Sequence, residues 1–436
     1  MALFNQSLEI NERIGNVQGK AATLNNLAGI YANKGEVDEA IALFNQSLEI
    51  KEHIGDVQGK AATLHQLGII YANKGEVDEA IALYNLSLEI KERIGDVQGK
   101  AATLHNIASI YTNKGDVDEA IALFNQSLEI NERIGNVQTK AATLHQLAGI
   151  YANKGDVDKA IALYNQSLEI TERIGDVQGK AATLHEIGRI YANKGEVDEA
   201  IALYNQSLEI TEYIGNVQTK AVTLHEIGRI YANKGEVDEA IALYNLSLEI
   251  TERIGDVQTK AVTLHELAGI YANKGEVDEA IALYNLSLEI TERIGNIQTK
   301  AATLHELGRI YANKGEVDKA IALYNLSLEI DERIGNVQGK TVTLNCLAGI
   351  YANKGNVDEA IALFNQSLEI TQRIGDVRTQ AMTLWWLGDL AEQQGEYTKA
   401  ISYLQPALEI LQRLQSPDAE SVSASLDRVM FLGTSK

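Results

Sequence analysis

Residues 55–94 read GDVQGKAATLHQLGIIYANKGEVDEAIALYNLSLEIKERI, and two apolar stripes run through them. Val57, Ala61, Leu64, Gly68 and Tyr71 fall at offsets 0, 4, 7, 11 and 14; Val77, Ala80, Ile81, Tyr84 and Leu88 fall at 0, 3, 4, 7 and 11. Both spacings fit one face of an α-helix. Asp56 stands where the first helix, A, needs an N-cap. Asn73-Lys74-Gly75 closes that helix with a cation near its negative end and a glycine free to take positive φ. Glu76, Asp78 and Glu79 enrich the first turn of the second helix, B, which stops at Gly95. Only a tight turn fits between the two, so A and B are predicted to lie antiparallel as a hairpin.

The same forty residues return along the chain, with glycines at 15, 55, 95, 135, 175, 215, 255, 295, 335 and 375. Ten complete repeats occupy residues 16–415, so repeat two is 56–95 and repeat seven 256–295; a half hairpin, residues 1–15, precedes them and residues 416–436 follow. A length of 436 residues would otherwise suggest two to four globular domains. An uninterrupted period instead predicts an all-α solenoid of ten antiparallel helix hairpins.

Composition narrows the function. A net charge of −22 opposes phosphate backbones and anionic lipid surfaces, so neither nucleic acid nor membrane is an expected partner. The single cysteine, Cys346, makes neither an intramolecular disulfide nor a thiolate zinc site. Residues 1–20 lack the apolar core of a signal peptide, and no run of about 18 apolar residues occurs. These features suit a cytoplasmic protein without cofactors.

Leu67-Gly68, Tyr71, Gly75, Ala80 and Tyr84 give the unit its resemblance to the tetratricopeptide repeat, over residues 16–415, with Ala391 the one departure from the Tyr71 position. The small residue at 68, facing Ala80, permits close approach of the helix axes while the tyrosines fill the flanks. Glu92 stands where the 34-residue motif has proline, so the unit is similar to the longer variety of kinesin light chains, Pins-type adaptors and bacterial signalling arrays. The resemblance implies a right-handed superhelix and a protein–protein interaction scaffold taking a peptide or partner helix in a concave groove lined by helix A. The alternative is a structural or regulatory array of a larger signalling protein whose N-terminal part is absent, which the half hairpin at Met1 suggests. The open end of that half hairpin also offers a surface for end-to-end self-association.

The resemblance puts the equivalents of His65, Gln66, Ile69, Ala72 and Asn73 in the groove. Histidine recurs at 65, 105, 145, 185, 225, 265 and 305, with Asn25, Asn345 and Trp385 in the other repeats. These side chains either fill polar space between neighbouring A helices or contact ligand; protonation near pH 6 would then modulate binding. Neighbouring helices stand about 8 to 10 Å apart and zinc ligands about 2 Å from their ion, so no metal is expected. Variation concentrates at the equivalents of 66 and 69. Glu186, Glu226, Glu266 and Glu306 occupy the first, and Arg189, Arg229 and Arg309 the second. They form either solvated i,i+3 bridges or ligand contacts. On the second reading the site comprises His185, Glu186, Arg189, Asn193, His225, Glu226, Arg229, Asn233, His265, Glu266, His305, Glu306 and Arg309, and favours a partner presenting carboxylates. Trp385 and Trp386 join the candidates, although adjacent residues point about 100° apart on a helix, so at most one faces the groove centre. The Lys and Asn of the family's carboxylate clamp are absent from the equivalents of 65 and 69.

Two motifs mislead. Residues 95–100, GDVQGK, are one residue short of a phosphate loop, continue with Ala101 and follow no strand. Asn85-Leu86-Ser87 matches a glycosylation sequon inside helix B of an unsecreted chain. An active site needs one unique constellation, whereas Ser87, His65 and the carboxylates belong to a motif copied many times, so no enzyme is expected. At the C-terminus, Ser416-Pro417 is read as an N-cap and first-turn proline of a capping helix burying Val422, Leu426, Val429 and Met430. Pro406 is expected to kink or break helix B of repeat ten near Leu404.

Overall fold

The computed structural model describes residues 1–434, among which there are twenty-two α-helices and no strand. In repeat two, helix A is Val57–Lys74 and helix B Val77–Ile94. The Asp56 carboxylate accepts the Gly59 N–H at 2.8 Å and satisfies a donor that the first helical turn leaves open. At the other end Gly75 takes φ +79°, which lets its own N–H reach Ala72 O and the Glu76 N–H reach Tyr71 O, both at 3.0 Å. A side chain there would be strained, so the glycine sets the A-to-B turn.

Within the hairpin Ala80 is fully buried, and a Cβ added to Gly68 would stand 2.8 Å from the Tyr84 ring. This position thus takes only a small residue, glycine here and alanine opposite the buried Tyr164 and Tyr284 of repeats four and seven. A buried bond from Ser87 Oγ to Ala61 O, 2.8 Å, ties B back to A. Successive hairpins join through apolar clusters such as Ala80 and Tyr84 of repeat two with Ile107 and Ile110 of repeat three. Burying a large apolar side chain contributes roughly 1.5 to 3 kcal/mol, so most of the fold's stability lies in these between-helix clusters.

The chain divides into two compact halves, Met1–Asn216 and the portion from Val217 onward. Each half stacks its hairpins in chain order. In the first, the leading helix Ala2–Arg13 buries no residue completely.

The second half departs from expectation twice. Helix B of repeat ten runs unbroken from Tyr397 to Arg413 through Pro406, so the break foreseen near Leu404 does not occur. Leu404, Ala407 and Leu411 are fully buried on both sides of the proline, and that packing holds the segment helical despite the missing donor. The last helix, Asp418–Thr434, packs Val422, Leu426 and Val429 against this cluster. Its N-terminus is met by Ser416, whose Oγ accepts the Asp418 N–H at 3.3 Å. Met430, expected on the buried side, is 42% exposed, and Ser425 is buried instead. The buried stripe centres between Ser425 and Leu426, which leaves Met430 at its margin.

Candidate binding face on the A helices

Two ladders one residue apart on the A helices have different surroundings. The histidines face inward. His65 Nδ1 lies 3.0 Å from Thr103 Oγ1 of the next repeat; the same bond joins His105 to Thr143, His145 to Thr183, His225 to Thr263, His265 to Thr303 and His305 to Thr343. Thr103 spends its only hydroxyl proton on Gly99 O at 2.9 Å, so His65 must donate from Nδ1. Its Nε2 then accepts from the Asn106 amide at 3.3 Å. Each imidazole also packs on the aromatic ring of its own helix B, His65 on Tyr84 and His185 on Tyr204 at centroid distances of 5.3 and 5.2 Å. Burial, aided by the Lys91 charge, lowers the His65 pKa to about 4, and burial takes His105 to about 4. Burial depresses His145, His225, His265 and His305 as well. Protonation near pH 6 is therefore closed to His65 and His105, because both imidazoles lie in dry sites and a donor already faces Nε2 of His65. His185 and His225 are buried outright, whereas Asn193 and Asn233 are exposed at the helix ends.

The neighbouring ladder, at the equivalents of residue 66, reaches solvent. In the first half Arg189 Nε and Nη2 both donate to Glu186 Oε2, at 3.0 and 2.6 Å. In the second half Arg229 Nε and Nη2 converge likewise on Glu226 Oε2 at 3.1 and 2.7 Å, and Arg309 Nε donates to Glu306 Oε2 at 2.8 Å. These arginines are thus occupied by carboxylates of their own helices and offer a weaker welcome to an anionic partner than the sequence suggested. Glu266 differs: Gly269 stands at its i+3 position. Burial raises its pKa, Arg229 opposes that, and Glu226 and Glu306 add to it.

Along the same ladder the second half turns apolar, with Cys346 in repeat nine and Trp386 in repeat ten. Trp386 is 36% exposed and stacks on Phe364 with centroids 5.6 Å apart and planes 28° from parallel. Val342, Cys346, Gly349, Phe364, Met382 and Trp386 line a cavity of about 440 Å³, together with the polar Asn345, Arg378 and Thr379. Trp385 points away and joins the core of repeat ten beside Leu404. The two tryptophans therefore part as helical geometry requires. Burial pushes the Cys346 thiol up despite a hydrogen bond with the Tyr324 hydroxyl, so it stays protonated at neutral pH.

Sequence reasoning missed Val342, Phe364, Met382 and Cys346. The signal was present in Val342 and Met382, which replace the alanine that repeats two to five carry at the equivalent of residue 62, and in Cys346, which breaks the run of glutamates. It also passed over Leu86, Leu246, Leu286 and Leu326, each about half exposed on helix B where five other repeats have glutamine. Among the described residues no group of His, Cys, Asp or Glu could hold a metal ion, and no helix is long and apolar enough to cross a membrane.

The model of the tetratricopeptide repeat matches residues 2–53, 59–133, 139–212, 259–333 and 341–413, and a second model of that repeat matches 223–258. The chain belongs to the tetratricopeptide repeat family. Among curated proteins none matches it significantly. Similar solved structures include the apo quorum sensor NprR from B. thuringiensis, at 15% identity and a TM-score of 0.58 over 83% of this chain and 99% of that one. A Rap protein complexed with competence and sporulation factor aligns at 15% identity and a TM-score of 0.55, over 82% and 99%. A signal transduction ATPase with a tetratricopeptide repeat sensor, from Pyrococcus horikoshii, gives 15% and 0.57 over 78% and 54%. These likenesses concern the fold. Tetratricopeptide repeats are typically protein-interaction modules and generally not enzymes.

Proposed function

We propose that this tetratricopeptide repeat protein binds an extended peptide or a partner's helix on the A-helix face of its second half, anchored in the cavity between Val342, Cys346, Met382 and Trp386. The observation that supports this most is the apolar cavity itself. A half-exposed tryptophan stacked over a phenylalanine, beside an open space of about 440 Å³, leaves apolar surface wet that an incoming side chain would dry. The ladder leading to it, Glu226, Glu266, Glu306, Cys346 and Trp386, lies on one register of successive A helices and gives an extended ligand a continuous track. Glu186 with Arg189 and the exposed Asn193 offers polar contacts on the A-helix face of the first half, where His185 is buried behind them. A structural relative, the Rap protein, is itself found complexed with competence and sporulation factor.

The test is selection of peptides from a displayed random library on the full chain, followed by titration of the enriched sequences. Bound peptides should slow alkylation of Cys346 by N-ethylmaleimide and shift Trp386 emission. Trp386→Ala, checked for helicity by circular dichroism, should weaken them at least tenfold, about 1.4 kcal/mol. Enriched peptides that bind Trp386→Ala unchanged and leave Cys346 as reactive as before would overturn the reading.

A further inference from the structure

The carboxylate track carries one feature that packing does not use. In three repeats the helix B tyrosine closes a hydrogen bond with the residue-66 equivalent of the next repeat: Tyr84 with Asn106, Tyr164 with Glu186, and Tyr324 with Cys346. The pattern is not general: Tyr284 shows no such bond to Glu306, nor Tyr244 to Glu266, and of these two the fully buried Tyr244 has a hydroxyl with no partner among the described residues. The charged groups that act on that hydroxyl are Glu266, Arg229 and Glu226. Glu266 in turn has Gly269 where Glu226 and Glu306 have an arginine to hold them. Three carboxylates on this face of the second half, Glu226, Glu266 and Glu306, are answered by two guanidiniums, Arg229 and Arg309. One negative charge is in surplus, beside an unused buried hydroxyl. Space is available as well, since a Cβ added to Gly269 would meet nothing nearer than the Tyr284 hydroxyl at 3.4 Å.

We propose that Glu266, with Tyr244 beneath it, forms a subsite for an arginine or lysine side chain of a bound peptide, about seven residues from an apolar side chain seated against Trp386. The cation's N–H groups donate to the Glu266 carboxylate and to the Tyr244 oxygen. Glu226 and Glu306 on the flanking repeats hold the local potential negative, whereas a carboxylate side chain would be repelled there. The spacing follows from the register: the cavity lies between repeats nine and ten, roughly 20 to 25 Å from repeat seven at about 8 to 10 Å per repeat. Extended chain covers that distance at about 3.3 Å per residue. The inference rests on the peptide-binding reading above and fixes the chemistry of the ligand.

The probes are synthetic fluorescein-labelled peptides of serine and alanine carrying arginine, norleucine or glutamate at one position and leucine three to eleven residues later. They are titrated on the full chain and on Glu266→Gln and Gly269→Arg. The second variant keeps the carboxylate but supplies the intrahelical partner that repeats five, six and eight already tolerate. Arginine peptides should bind at least tenfold tighter than norleucine peptides, with glutamate weakest and an optimum spacing near seven. Both variants should erase that preference while leaving Cys346 protection by the leucine intact. Equal binding of all three peptides with Cys346 still protected would overturn this inference and leave the peptide-binding reading standing. Failure of every peptide to protect Cys346 would overturn both, as would a preference for glutamate combined with no protection; an arginine preference that survives in both variants would overturn this inference alone.

Discussion

His265 and Glu266 are neighbours in sequence and opposites in environment. The imidazole reaches across to Thr303 at 2.9 Å and packs on Tyr284, while the carboxylate has no arginine in its own helix. The same contrast holds along the array: six of the residue-65 histidines reach a threonine of the next repeat and pack on the aromatic ring of their own helix B, whereas the residue-66 positions carry Gln, Asn, Glu, Cys and Trp. Repetition here accompanies burial and packing, and variation accompanies the positions that reach solvent.

That contrast can be tested first with acid, where the largest effect is expected. His65 and His105 have folded pKa values near 4 against an ordinary value of 6.5, so between those pH values the unfolded chain binds protons that the folded chain refuses. Their stabilising contribution is complete above pH 6.5 and is lost as pH falls toward 4, roughly 2 to 3 kcal/mol for each residue by that shift. Urea melts at a series of pH values should show the loss. His65→Asn with His105→Asn, using the residue that repeats one and nine carry naturally, should flatten it. Asn345 already makes the equivalent bond, to Thr383 Oγ1 at 3.1 Å. Imidazole resonances of His65 and His105 that titrate near pH 6.5 would contradict the packing role.

A smaller effect is expected from Thr103→Val. Thr103 Oγ1 takes hydrogen bonds from His65 at 3.0 Å and from the buried Lys91 Nζ at 2.8 Å. Removing the oxygen leaves two buried donors unmet and should cost about 2 to 4 kcal/mol. A loss below 1 kcal/mol would show that water replaces the hydroxyl and that the ladder is less dry than its burial indicates. The smallest effect belongs to the outer ladder: Glu226→Gln and Glu306→Gln each break a half-exposed ion pair and should change stability by less than about 1 kcal/mol. A larger loss would make these pairs part of the scaffold and remove the distinction between the two ladders.

The architecture was legible from residues 55–94 because period, caps and glycines act locally: Asp56, Gly75 and Gly95 do in the structure what their chemistry implies in isolation. Of the kink or break expected near Leu404, the break does not form, for the complementary reason that a backbone preference acting alone in a peptide is overruled where Leu404, Ala407 and Leu411 are clamped in a core. For the site, the sequence singled out the varying positions and the tryptophan pair, but neither which tryptophan faces outward nor the chemistry around them. Whether an arginine is engaged depends on the geometry of a neighbouring glutamate, and whether a histidine titrates depends on how much water reaches it. Val342, Cys346, Phe364, Met382 and Trp386 come from three helices and meet in one cavity only when consecutive hairpins pack. Local propensities acting within one forty-residue unit determined the helices and their order. Contacts between units, which no single repeat contains, decided the burial of the histidine ladder and the open space beside Trp386.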